Sequence, residues 1–188
     1  MMARSSCARG RVPAGESIAQ AEVRSRTSQR FHTIYAENFF RRNAAIFAPH
    51  LQSVGLNEDI LSSPELEIPL HKYVALWEQL GQAESPSIGL EVGIQARSSD
   101  YGLYGHAARS APTMAQALRV LSHFIAVLMQ GTRVALDVTD DSVSISYQIA
   151  GPLIINRRQD AEFTAASGLS MIREFAQQPT LCPLRADF

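Results

Sequence analysis

Residues 113–149 read TMAQALRVLSHFIAVLMQGTRVALDVTDDSVSISYQI, and the hydrophobic period changes in the middle of this run. Up to Leu128 the apolar residues Met114, Leu118, Val120, Leu121, Phe124, Ile125, Val127 and Leu128 cover most of a helix. Thr113 and Gln116 form a T-x-x-Q capping box after Pro112, and Gly131 stops the helix. Only Gln116, Arg119, His123 and Gln130 make a polar stripe, so a central, mostly buried helix is expected. Beyond Gly131 the period becomes two. Val134, Leu136 and Val138 alternate, Asp140 and Asp141 turn the chain, and Val143, Ile145, Tyr147 and Ile149 alternate again. Serines 142, 144 and 146 take the opposite face, which predicts a hairpin over about 133–149 with one apolar side.

The flanking sequence is helical. Pro69 opens an amphipathic segment over 69–82, with Leu70, Tyr73, Val74, Trp77 and Leu80 on one face. Pro86 precedes a short helix carrying Ile88, Leu90, Val92 and Ile94, where Gly89 and Gly93 permit close approach of a neighbour. Residues 97–105 (RSSDYGLYG) read as a polar, glycine-bearing loop, and 157–177 as a last helix with Phe163, Ala166, Leu169, Ile172 and Phe175 inward. Toward the N-terminus, Phe31, Ile34, Tyr35, Phe39 and Phe40 suggest an aromatic helical face, and Pro49 starts a short helix ended by Gly55. The expected fold class is α+β, a helix-rich domain with a small antiparallel β-sheet. Residues 1–28 are expected to form a flexible basic tail, and 29–188 the folded domain.

Hydrophobic residues make up 46% of the 188 and charged residues 19%, enough apolar material for a core. The net charge is −1, and six of the 17 basic residues (Arg4, Arg9, Arg11, Arg24, Arg26, Arg30) lie in the first 30 positions. The folded part is therefore mildly acidic and lacks the basic surface of an autonomous DNA-binding domain. Cys7 and Cys182 have no metal or disulfide spacing and read as free thiols. No apolar run is long enough to span a membrane, and no secretory signal is present, which points to the cytoplasm.

The chemical motifs of enzymes are missing from the sequence. His32, His50, His71, His106 and His123 show no HxxxH or HExxH spacing, so no metal site and no cofactor are expected. Gly168-Leu169-Ser170 is not GxSxG, and no P-loop or GxGxxG occurs. Arg158 and Glu162 stand at i, i+4 on the last helix and read as an exposed ion pair. Nothing in the sequence supports catalysis.

Three segments, IGLEVG (88–93), SAPTMAQAL (110–118) and RRQDAEF (157–163), follow IPLHKYVALWEQL in this order, the third opening the last helix. In this arrangement the chain over 56–174 resembles the N-terminal, "arabinose-binding" domain of AraC-type transcription regulators. The resemblance implies a sensor that binds a small-molecule effector, often as a homodimer, and contacts promoter DNA only through an attached pair of helix-turn-helix motifs. The chain as given ends at Phe188, before any such motif, so it is expected to sense without reading DNA. The word "arabinose" does not carry over: the sugar-binding arm of AraC is a β-rich barrel, and this chain is helical. Effector contacts are expected between the helices and the hairpin, from Tyr101, Tyr104, His106 and Arg109 beside two mobile glycines, and from Tyr147 on the apolar face of the hairpin. The alternative is a purely structural dimerisation module without a ligand, built on helix 113–130.

Overall fold

The computed structural model describes residues 30–32, 36–62, 66–149, 151 and 154–188. The expected tail over 1–28, together with Ile34, Tyr35 and Pro64, lies outside these. The described residues form seven α-helices and two small two-stranded antiparallel sheets, the α+β, helix-rich class expected.

Strand β1 (Arg30–His32) pairs with β2 (Glu67–Pro69), placing Phe31 opposite Ile68. The sequence suggests a helix from Phe31, because a three-residue strand leaves no period to read and its partner is distant in the chain. Helices α1 (Glu37–Arg42) and α2 (Ala44–Phe47) follow. Pro49 and its neighbours form two 3-10 turns rather than one α-helix, and these end at Gly55 with φ of 68°. Helix α3 (Leu70–Ala83) buries Leu70, Tyr73, Val74, Leu76, Trp77 and Leu80. Next come α4 (Ile88–Gly93), α5 (Gly102–Arg109) and α6 (Met114–Leu128), the hairpin strands β3 (Thr132–Val138) and β4 (Val143–Ile149), and α7 (Arg158–Ala176).

The core is aromatic. Tyr73 stacks on Phe31 at 4.3 Å, Trp77 stacks on Phe163 at 4.4 Å, and Phe39 lies 5.1 Å from Phe163. Thus α1, α3 and α7 share one cluster, and the large area of each ring supplies most of its hydrophobic stabilisation.

Two expectations change. Helix α6 keeps its predicted cap, with Thr113 Oγ1 accepting from the Gln116 amide at 3.2 Å. It is not buried all round, however, because Phe124 and Val127 are 47% and 46% exposed. Residues 97–105 are not a loop: Ser98–Tyr101 is a 3-10 turn that runs into α5. Gly105 is buried, and a Cβ there would collide with the Ser98 carbonyl, so this glycine serves packing rather than mobility. The hairpin turns at Asp140-Asp141 as expected, and its register sets Val134 opposite Tyr147 and Leu136 opposite Ile145. Its tip, with Val138, Val143 and Ile145, is exposed.

The closest helix contact is between α4 and α7. A Cβ on Gly89 would collide with the Gln159 carbonyl oxygen, and one on Gly93 would stand 2.7 Å from Ala166 Cβ and 2.8 Å from the Phe163 carbonyl oxygen. Gly93→Ala should therefore lower stability by about 2–3 kcal/mol through overpacking. Gly168 on α7 provides the contrast, since a methyl group added there would have nothing within 4 Å. Gly168→Ala should raise stability by about 0.5–1 kcal/mol through helix propensity. Chemical denaturation of both variants checks the pair; equal effects of the same sign would refute the close approach.

Candidate functional site

The five residues expected to meet an effector divide between the two ends of α7. Tyr101 is buried and stacks on Phe39 at 6.0 Å, with the Tyr104 ring edge-on at 6.3 Å. The Tyr104 hydroxyl donates to the Leu121 carbonyl of α6 at 2.9 Å, and burial raises both phenols above the usual tyrosine range. His106 is exposed. Arg109 approaches Glu174 at 3.5 Å, on the last turns of α7. Glu174 also accepts from the Ser98 hydroxyl and amide at 2.7 and 2.9 Å, fastening the 98–101 turn to the helix. Tyr147, by contrast, reaches Asp160 near the start of α7, where its hydroxyl donates to Oδ2 at 2.9 Å. Asp160 and Glu174 are fourteen residues apart, which separates them by roughly 21 Å along the helix. Tyr101 and Tyr104 are neighbours; Arg109 and Tyr147 do not meet.

Asp160 is not among the residues the sequence singles out. It lies three residues before Phe163 on the inward stripe of the helix, and a carboxylate on an apolar stripe is the signal that could have found it. Its side chain is fully buried, with Oδ2 held by Tyr147 and Oδ1 without a hydrogen-bond partner. Burial pushes its pKa up to about 7, against the opposing effects of the Tyr147 hydrogen bond and the Arg157 charge, while Glu78 adds to the rise. Burial, then the Asp160 charge, raises Tyr147 and Tyr73 well above the usual phenol range.

Gln159 explains why the start of α7 is fixed so firmly. Its side-chain oxygen accepts from the Gly89 amide at 2.9 Å, and its side-chain nitrogen donates to the Pro86 carbonyl at 2.8 Å. Its own amide donates to Glu78 Oε1 at 2.7 Å, so one residue joins α3, α4 and α7. Arg158 and Glu162 form the predicted pair at 2.7 Å, although Glu162 is buried rather than exposed. The polar interior is incompletely satisfied: Trp77 Nε1, the Tyr101 hydroxyl, Arg157 Nη1, Asp160 Oδ1 and Glu162 Oε2 are sealed from solvent without a partner. Buried polar atoms are ordinarily matched by protein, water or ligand, and Arg157, Asp160 and Glu162 all belong to the start of α7.

Elsewhere, an open groove of about 660 Å³ lies over Gln52, Gly55, Leu56, Asn57, Glu58 and Asp59. None of the expected residues lines it. His50 pairs with Glu84 at 2.7 Å, and His71 is held below the usual histidine value by burial and then by Lys72 and Arg30. Among the described residues, no group of three or more His, Cys, Asp or Glu is placed to hold a metal ion, and no helix is long and apolar enough to cross a membrane.

The family model for the arabinose-binding domain of AraC transcription regulators, N-terminal, matches residues 47–188, and the chain belongs to that family. The family is regulatory and non-enzymatic. No curated protein matches the chain.

The Asp160 environment predicts a pH dependence. Its native pKa, about 7, stands above the ordinary value of 3.8, so between the two the native state keeps a proton that the unfolded chain has lost. The group's contribution is greatest at low pH and declines as pH rises from about 4 to about 7, by on the order of 4 kcal/mol. Asp160→Asn should remove this decline when urea denaturation is compared across the window. A constant difference between variant and parent at every pH would contradict the assignment.

Proposed function

We propose that this domain senses a small-molecule effector in its interior, between α3, the hairpin and the first turns of α7. Asp160 and Tyr147 are the primary polar contacts. The carrying observation is that Asp160 is fully buried with one carboxylate oxygen unmatched. Leaving such an acceptor unsatisfied costs about 1–3 kcal/mol or more, and a ligand group that donates to it removes that cost. Tyr101 and Tyr104 extend the same aromatic interior toward α5, whereas His106 and Arg109 stand at its outer surface. Because Tyr147 belongs to β4, a ligand that competes for Asp160 shifts the docking of the hairpin against α7. Binding is thereby read as a preference between two hairpin positions. The working protein acts in the cytoplasm and reaches promoter DNA through an attached helix-turn-helix domain.

A second reading is a homodimer formed without a ligand. It is favoured by the exposed apolar residues Phe124 and Val127 on α6 and Val138, Val143 and Ile145 at the hairpin tip. Light scattering of the parent and of Phe124→Asp tests the dimer through this face: the parent should have dimer mass and the variant lose it, and a parent of monomer mass would overturn the reading.

The sensing reading is tested by a thermal-shift screen of amines, amino acids, short fatty acids and aromatic acids. A ligand at about 100 times its Kd adds about 2.7 kcal/mol of stability. That gain should vanish in Asp160→Asn and persist in His106→Ala. A ligand that stabilises the parent and Asp160→Asn equally would place the site elsewhere.

A further inference from the structure

The chemistry of the effector follows from two charges at the start of α7. Arg157 is the residue that precedes the first turn of α7, and Asp160 lies in that turn, near enough to feel the Arg157 charge. Each has an atom sealed from solvent without a partner, Nη1 of Arg157 and Oδ1 of Asp160. The half-buried Arg157 acts on Asp160 through its charge, yet the two form no direct ion pair. Tyr147 holds the other oxygen of Asp160, and the carboxylate of Glu78 is turned to the Gln159 amide. The wall beside them is aromatic: Tyr73, whose phenol feels the Asp160 charge, and Trp77 stand edge-on at 6.4 Å. The start of α7 therefore offers an unmatched cationic donor and, separately, an unmatched carboxylate acceptor.

Resting on the sensing reading above, we propose that the effector is a small zwitterion of the α-amino-acid class, its carboxylate on Arg157, its ammonium on Asp160 and its side chain against Tyr73 and Trp77. An α-amino acid carries one group for each of the two unmatched atoms. A monocarboxylic acid leaves Asp160 unmatched, and a simple amine leaves Arg157 unmatched. A polyol matches both, but only through weaker hydrogen bonds that are charged on one side alone.

The test is calorimetric titration of the 188-residue chain with each proteinogenic α-amino acid. Each ligand found is then compared with its amino alcohol, which lacks the carboxylate, and its 2-hydroxy acid, which lacks the ammonium, beside a series of polyols. An α-amino acid should bind, and each analogue should lose at least about tenfold in affinity. Arg157→Gln should abolish the advantage of the amino acid over its amino alcohol, and Asp160→Asn its advantage over the 2-hydroxy acid. The ligand series on the parent protein gives an answer even where a variant folds poorly. A polyol or monocarboxylate that binds in its place, with Asp160→Asn abolishing the binding, would overturn the zwitterion and keep the site. Amino-acid binding indifferent to both substitutions would overturn the site as well. Absence of binding by every amino acid overturns the ligand class and leaves the sensing reading to the wider thermal-shift screen.

Discussion

The structure hangs on the contact of α4 with α7. Gly89 and Gly93 bring the backbone of a six-residue helix against the carbonyls of Gln159 and Phe163. So short a helix has little stability of its own, and here it is held from outside. The Gln159 side chain bonds to the Gly89 amide and the Pro86 carbonyl, while its main-chain amide bonds to Glu78 on α3. A substitution that pushes α4 away would free these buried groups as well as open a gap, so packing and hydrogen bonding fail together.

This arrangement also gives the interior its polar character. With the start of α7 fixed by Gln159, its neighbour Asp160 is held in the interior against Tyr147 of β4 rather than at the surface. The polar cost is borne by the same aromatic cluster that joins Tyr73, Trp77 and Phe163. At the other end of the helix, the Glu174 carboxylate is matched by Ser98 and Arg109. The two ends of α7 thus differ: the carboxylate of Glu174 is matched by its neighbours, and that of Asp160 is matched on one oxygen.

Much of the fold was legible in the sequence because it is local. The α3 stripe, the Thr113 cap, the Gly55 stop and the hairpin turn all follow from period, capping and turn chemistry. What escaped is non-local. β1 exists because Phe31 meets Ile68, and the exposure of Phe124 depends on α5 and β3 covering only one side of α6. Gly105 looked like a hinge because a glycine inserted for mobility and one inserted for close packing are indistinguishable until the neighbour is known. The site followed the same rule. Tyr147 was visible as the polar tip on an apolar strand face, but its partner Asp160 lay inside RRQDAEF, where the Arg158–Glu162 pair drew attention to the other side of the helix.

The chain belongs to the AraC N-terminal domain family, and the sensing proposal requires its α4–α7 core to remain intact while the hairpin and its Asp160 contact respond. Amide hydrogen exchange of the ligand-free protein tests that division directly. Residues 86–94 and 158–167 should exchange slowest and together, as one cooperative unit, with the hairpin tip around 138–143 exchanging far sooner. Exchange of the first turns of α7 ahead of α4, or protection of the hairpin equal to that of the core, would contradict the account.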